Sequence, residues 1–153
     1  MNHMISVKVS VSAVYFVNSN NGWVTTSSGI YHTSDGGNSW TLQSSSVYGN
    51  RICFVDGSNG WVSNYESIYY TTDGGANWTN QTGLSNVTSI AFADSSNGCA
   101  VSGGTIYYTS NGGSTWTPQT PLTSGGLLDI DFADGQNGFI VGEGGIIIKC
   151  TLN

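Results

Sequence analysis

The sequence predicts an all-β fold built from four copies of one unit, and three observations carry that prediction. Asn-Gly recurs at Asn21-Gly22, Asn59-Gly60, Asn97-Gly98 and Asn137-Gly138. A tryptophan closes each of the first three units at Trp40, Trp78 and Trp116, a constant step of 38 residues. Self-similarity at such a step marks an architecture made by stacking one supersecondary unit. Inside each unit, short runs rich in β-branched and aromatic residues alternate with turn residues, and no stretch sustains apolar residues at helical spacing.

Each unit divides into four segments, a to d. Segment a is Val14–Val17, Ile52–Val55, Ile90–Ala93 and Ile130–Ala133. In each, an aliphatic residue and a Phe stand two apart and share one face of a strand. Segment b follows the Asn-Gly turn as Gly22-Trp23-Val24, Gly60-Trp61-Val62, Gly98-Cys99-Ala100 and Gly138-Phe139-Ile140. Segment c is Ile30-Tyr31-His32, Ile68-Tyr69-Tyr70, Ile106-Tyr107-Tyr108 and Ile146-Ile147-Ile148, and segment d begins at each closing Trp.

Between c and d lies the most specific motif: Thr33-Ser34-Asp35-Gly36-Gly37-Asn38-Ser39-Trp40, Thr71-Thr72-Asp73-Gly74-Gly75-Ala76-Asn77-Trp78 and Thr109-Ser110-Asn111-Gly112-Gly113-Ser114-Thr115-Trp116. It resembles the Asp box, a hairpin turn in its families. The carboxylate accepts hydrogen bonds from turn N–H groups, glycine takes positive φ without a Cβ clash, and the Trp anchors the hairpin in apolar packing. Asn111 departs from the pattern in the third box and Asn77 replaces a hydroxyl residue in the second, while a fourth box is cut off at Thr151-Leu152-Asn153. With the flanking Phe-x-Asp and Asn-Gly-Trp patterns, the boxes resemble the repeats of the photosystem II assembly and stability factors and related bacterial proteins. That resemblance implies a β-propeller of four four-stranded blades over residues 1–153, with residues 1–4 read as an expression-vector remnant.

The repeat arithmetic implies how such a propeller closes. Stepping back from Trp40 lands on Asn2, so residues 4–10 occupy the place of a segment d, and residues 146–150 form a segment c that lacks one. Pairing these two strands completes the fourth blade and removes exposed sheet edges. A closed monomer is the preferred reading, with a strand-swapped dimer as the alternative.

Composition narrows the function. Lys8, Arg51 and Lys149 face nine carboxylates, giving a net charge of −6, so the clustered cations that nucleic-acid binding needs are missing. No apolar run reaches the roughly 18 residues of a membrane helix. Abundant Ser, Thr, Asn and Gly with little Lys favours an extracytoplasmic bacterial protein. Cys53, Cys99 and Cys150 fit no metal or redox spacing, and neither metal nor cofactor is expected. Cys99 takes the place of Trp23 and Trp61 and reads as a packed core thiol. His32 takes the place of Tyr70 and Tyr108 and reads as a blade-face residue. Gly142-Glu143-Gly144-Gly145 lacks the Lys-Ser/Thr end of a phosphate loop and reads as a turn.

In the propellers this chain resembles, the d-to-a and b-to-c loops share one rim and the boxes lie on the other. Candidate binding residues are those where the repeats disagree on the loop rim: Tyr48, Arg51, Tyr65, Glu66, Asp129, Asp131 and Glu143. They form either a polar ligand site or a solvated lining with an Arg51–Asp129 ion pair. Asp boxes also occur in sialidases, which hold a substrate carboxylate with several arginines; Arg51 is the single arginine here, which argues against that activity. A glycosidase needs two carboxylates about 5 to 10 Å apart, a pairing that nothing in the spacing demands. The expected function is therefore non-catalytic: binding of a protein partner through the loop rim, with a lectin-like carbohydrate-binding propeller as the alternative. Exposure of Tyr48 and Tyr65 on one rim would favour the lectin reading.

Overall fold

The computed structural model describes residues 9–81, 83–119 and 125–152. The first blade is β1 (Val11–Phe16), β2 (Gly22–Thr26), β3 (Gly29–Thr33) and β4 (Thr41–Ser44). The second is β5 (Arg51–Phe54), β6 (Gly60–Ser63), β7 (Ile68–Thr71) and β8 (Thr79–Gln81). The third is β9 (Val87–Phe92), β10 (Gly98–Ser102), β11 (Thr105–Thr109) and β12 (Thr117–Pro118), and the fourth is β13 (Leu127–Phe132), β14 (Asn137–Gly142) and β15 (Ile147–Thr151). Each blade is an antiparallel meander in chain order. The inner strands β1, β5, β9 and β13 pack each against the next, so the predicted propeller architecture is present, with three strands in the fourth blade among the described residues.

One aromatic joint repeats between blades. The Phe of an inner strand stacks on the Trp of the preceding blade's second strand: Trp23 on Phe54 at 3.6 Å and 8°, Trp61 on Phe92 at 3.6 Å and 6°. The closing Trp of the same blade meets that Phe edge-on, Trp78 on Phe54 at 6.1 Å and Trp116 on Phe92 at 5.9 Å. Both arrangements are favoured by the ring quadrupole. Each stacked Trp also donates across the joint, Trp23 Nε1 to the Gly74 carbonyl and Trp61 Nε1 to the Gly112 carbonyl, both at 3.0 Å. Three apolar clusters fill the spaces between successive blades, centred on Trp23 and Phe54, on Trp61 and Phe92, and on Cys99 and Ile140.

The Asn-Gly pairs do a different job from the one their sequence suggests. None of Gly22, Gly60, Gly98 and Gly138 takes positive φ. They open the second strand under the Phe ring of the first, where a Cβ on Gly98 would lie 2.5 Å from Phe92 Cδ1 and one on Gly22 would lie 2.6 Å from Phe16 Cδ1. The turn itself is closed by a carboxylate upstream: Asp56, Asp94 and Asp134 each accept the N–H groups two and three residues on, and the Asn amide as well.

Two expectations about the ends need correction. The fourth segment c is shifted by one residue: Ile147, not Ile146, stands opposite Val141, where Ile106 stands opposite Val101. The 3-10 turn Glu143–Gly145, with Gly144 and Gly145 at φ 70° and 81°, lengthens that hairpin by one residue. The predicted strand closing the fourth blade falls mostly on residues 5–8, outside the described residues. Nor do the four blades meet in a ring among the described residues. Val14, Phe16 and Leu42 at one end of the arc, and Phe139, Val141 and Ile147 at the other, are exposed. Trp–Phe stacks pack the first two joints, and the outer faces of the first and fourth blades face solvent among the described residues.

Candidate binding rim

A four-stranded meander sends alternate connections to opposite ends, so the β1–β2 and β3–β4 turns share one rim with their counterparts in the other blades. The boxes belong to this rim. Gly36, Gly74 and Gly112 donate their N–H groups to Asn20, Ser58 and Ser96 in the neighbouring inner turn. Asp35 Oδ1 accepts the Thr33 hydroxyl at 2.8 Å and the Ser39 N–H at 2.9 Å, and Oδ2 accepts the Ser39 hydroxyl at 2.7 Å. The Ser39 hydroxyl and N–H, with the Thr33 hydroxyl, hold the Asp35 carboxyl down at about 2.

The departures from the box pattern keep the same network. Asn77 Nδ2 donates to Asp73 Oδ2 at 2.8 Å, replacing a hydroxyl donor. Asn111 Oδ1 accepts the Thr109 hydroxyl at 3.0 Å and the Thr115 N–H at 2.9 Å, and its Nδ2 donates to Thr115 Oγ1 at 2.9 Å. One donor has reversed direction and no bond is lost. The carboxylate or amide at the third position of each box is thus consumed in the turn.

The opposite rim carries the sequence-derived candidates, in several places rather than one. Tyr48, between β4 and β5, and Tyr65, between β6 and β7, are 56% and 63% exposed. They flank one shallow cleft of about 220 Å³ with Ser12, Ser27, Asn50 and Asn64. Asn64 fixes both loops, donating to the Tyr48 carbonyl at 3.3 Å and accepting the Glu66 and Ser67 N–H groups. Arg51, which opens β5, lies 3.8 Å from Asp129 Oδ1, so the expected ion pair forms. Asp129 Oδ1 also accepts the Ser89 hydroxyl at 2.5 Å and the Ile130 N–H at 3.1 Å. The second, third and fourth blades are therefore bridged at their inner strands by Arg51, Ser89 and Asp129.

The remaining candidates stand apart. Asp131 lies two residues along β13, held by the Phe132 N–H at 2.9 Å. Burial first, then the charges of Cys53 and Asp131, raise the Tyr15 hydroxyl above its ordinary value. Glu66 lines a different cleft with Asn80, Leu84 and Ser85. Glu143 sits on the fourth blade over Gly126, whose carbonyl accepts its N–H at 2.8 Å. Ser89 and Asn64 were not singled out from the sequence. Ser89 was legible only as a small polar residue aligned with Arg51 and Asp129; Asn64 carries no repeat signal at all.

The readings of His32 and Cys99 hold. His32 lies against Trp23 with ring centroids 4.9 Å apart, and burial lowers its pKa. Cys99 is a buried core thiol. Among the described residues no cluster of His, Cys, Asp and Glu is arranged to hold a metal, and no helix is long and apolar enough to cross a membrane.

The family model described as photosynthesis system II assembly factor YCF48 matches residues 2–126. Among solved structures, YCF48 bound to D1 peptide is similar at 22% identity and a TM-score of 0.68, over 96% of this chain and 53% of that one. YCF48 from Cyanidioschyzon merolae is similar at 22% identity and a TM-score of 0.72, over 93% of this chain and 51% of that one. The chain thus spans about half the length of these proteins. The Niastella koreensis GH74 enzyme shares the fold at 17% identity and a TM-score of 0.67, over 92% of this chain and 29% of the enzyme. No curated protein matches the chain in sequence.

Proposed function

The chain belongs to the photosynthesis system II assembly factor YCF48 family, and from that premise we propose that it is a non-catalytic module that holds a segment of a protein partner on its loop rim. The family match carries the reading, and on the rim Tyr48 and Tyr65 stand exposed on either side of one cleft. Exposed tyrosines supply rigid contact area at low entropic cost, and Asn64, through its bonds to the Tyr48 carbonyl and the Glu66 and Ser67 N–H groups, holds the two loops that carry them. Arg51 and Asp129 at the inner strands, with Asp131 farther along β13 and Glu66 and Glu143 on separate loops, would select the charge of that segment. A relative of this fold has been seen with a D1 peptide bound, which supports a protein ligand here. The sequence composition supports a place outside the cytoplasm.

The same two tyrosines favour a second reading, a lectin-like site in which their rings stack on sugar faces. A displayed peptide library and a glycan array, each offered to the native chain and to the Tyr48→Ala, Tyr65→Ala double variant, separate the two. Peptides retained by the native chain and lost by the variant support the proposal. Retention of glycans alone would replace it with the lectin reading, and peptide retention unchanged in the variant would remove the rim from the account.

A further inference from the structure

The third joint of the arc is built differently from the first two. Cys99 on β10 occupies the place of Trp23 and Trp61, the residues that reach into the next blade's box. What it meets there is Cys150 on β15, with the two Sγ atoms 3.7 Å apart. Cys150 stands opposite Gly138, as the box residue Thr109 stands opposite Gly98, so a thiol pair has replaced the Trp-to-box tie at its own location. The pair opens on a cleft of about 250 Å³ lined by Tyr108, Gln119, Thr151 and Leu152, large enough to admit a small disulfide. Cys53 has neither feature, being buried between the second and third blades.

We propose that Cys99 and Cys150 form a redox-active dithiol whose oxidation to a disulfide ties the fourth blade covalently to the third. Cys150 is the attacking group: it is the more exposed of the two, and the hydrogen bond from the Cys99 thiol draws its pKa down to about 7. Its thiolate attacks one sulfur of oxidised glutathione, forming a mixed disulfide and expelling one glutathione thiolate. Cys99 then loses its proton and attacks the Cys150 sulfur. The Cys99–Cys150 bond forms and a second glutathione leaves. Two protein thiols are oxidised, one glutathione disulfide is reduced to two thiols, and the two protein protons pass to them.

The test equilibrates the native chain with oxidised and reduced glutathione, alkylates it unfolded, and maps the thiols by mass spectrometry, with the Cys53→Ser variant in parallel. The expected result is that two of three alkylatable thiols disappear from the native chain and both from Cys53→Ser. The cross-linked peptides join residues 99 and 150, and the oxidised form melts at a higher temperature. Persistence of all three free thiols under oxidised glutathione alone, a bond involving Cys53, or a bond between chains would each overturn the proposal.

Discussion

Replacing Trp61 by Ala tests the joint on which the architecture rests. The side chain is fully buried, stacks on Phe92 at 3.6 Å, lies over Tyr70 at 5.2 Å and donates to the Gly112 carbonyl at 3.0 Å. Truncation of a buried Trp to Ala costs about 3–5 kcal/mol through lost transfer energy and the cavity left behind. A domain of this size has roughly 5–15 kcal/mol in total, so the loss is a large share. Trp61→Phe keeps a ring on Phe92 and removes the donor. Because Gln81 Nε2 still serves the Gly112 carbonyl at 2.8 Å, that variant should lose nearer about 1–2 kcal/mol. Urea denaturation followed by far-ultraviolet circular dichroism gives both numbers. In a repeat array coupled through nearest-neighbour interfaces, Trp61→Ala should also lower the m-value as the two halves begin to unfold separately. A loss below about 1.5 kcal/mol for Trp61→Ala, or equal losses for the two variants, would refute the reasoning.

Gly98→Ala should destabilise the chain by about 1–3 kcal/mol, because its Cβ would press on the Phe92 ring from 2.5 Å; the urea midpoint reports it. Asp35→Asn should hold a thermal midpoint close to that of the native chain, since Asn111 already makes the equivalent bonds, whereas Asp35→Ala leaves the Thr33 and Ser39 donors unserved and should melt earlier. Asp35, Asp56, Asp73, Asp94 and Asp134 all have carboxyl pKa values lowered in the folded chain by the turn donors they accept. Depressed folded values contribute stability that is complete above the ordinary carboxylate range and is lost as pH falls through the folded values. Urea midpoints should therefore drop from about pH 4 downward, toward the value of about 2 held by Asp35, and a flat profile there would contradict the hydrogen-bond assignments. Tyr48→Ala and Tyr65→Ala should leave stability within about 0.5 kcal/mol of the native chain, since both rings are exposed.

Much of the scaffold was legible because repetition exposes it. The Phe and Trp positions recur at one step, so their roles in the joints follow from one unit. The glycine of Asn-Gly was legible as a requirement but not as the right one: a turn and a close approach of a ring both demand a missing Cβ, and only the positions of Phe16 and Phe92 distinguish them. Register in the fourth blade was not legible, because Ile146, Ile147 and Ile148 are alike and the hairpin length alone decides which faces Val141. The candidate rim was found as a set of disagreements between repeats, which identifies positions but not distances. That is why Arg51 and Asp129 were paired correctly while Glu66 and Glu143 lie elsewhere. The Cys99–Cys150 proximity escaped the sequence because it joins residues of different repeats across a joint, where spacing along the chain carries no signal.

The rim account is tested most directly by hydrogen–deuterium exchange on the native chain, free and saturated with the peptide selected from the displayed library. The account predicts that new protection appears in the loops holding Tyr48, Asn64 and Tyr65 and at the start of β5 and β13, and that the box turns around Asp35, Asp73 and Asn111 exchange as before. Protection confined to the box turns would contradict it.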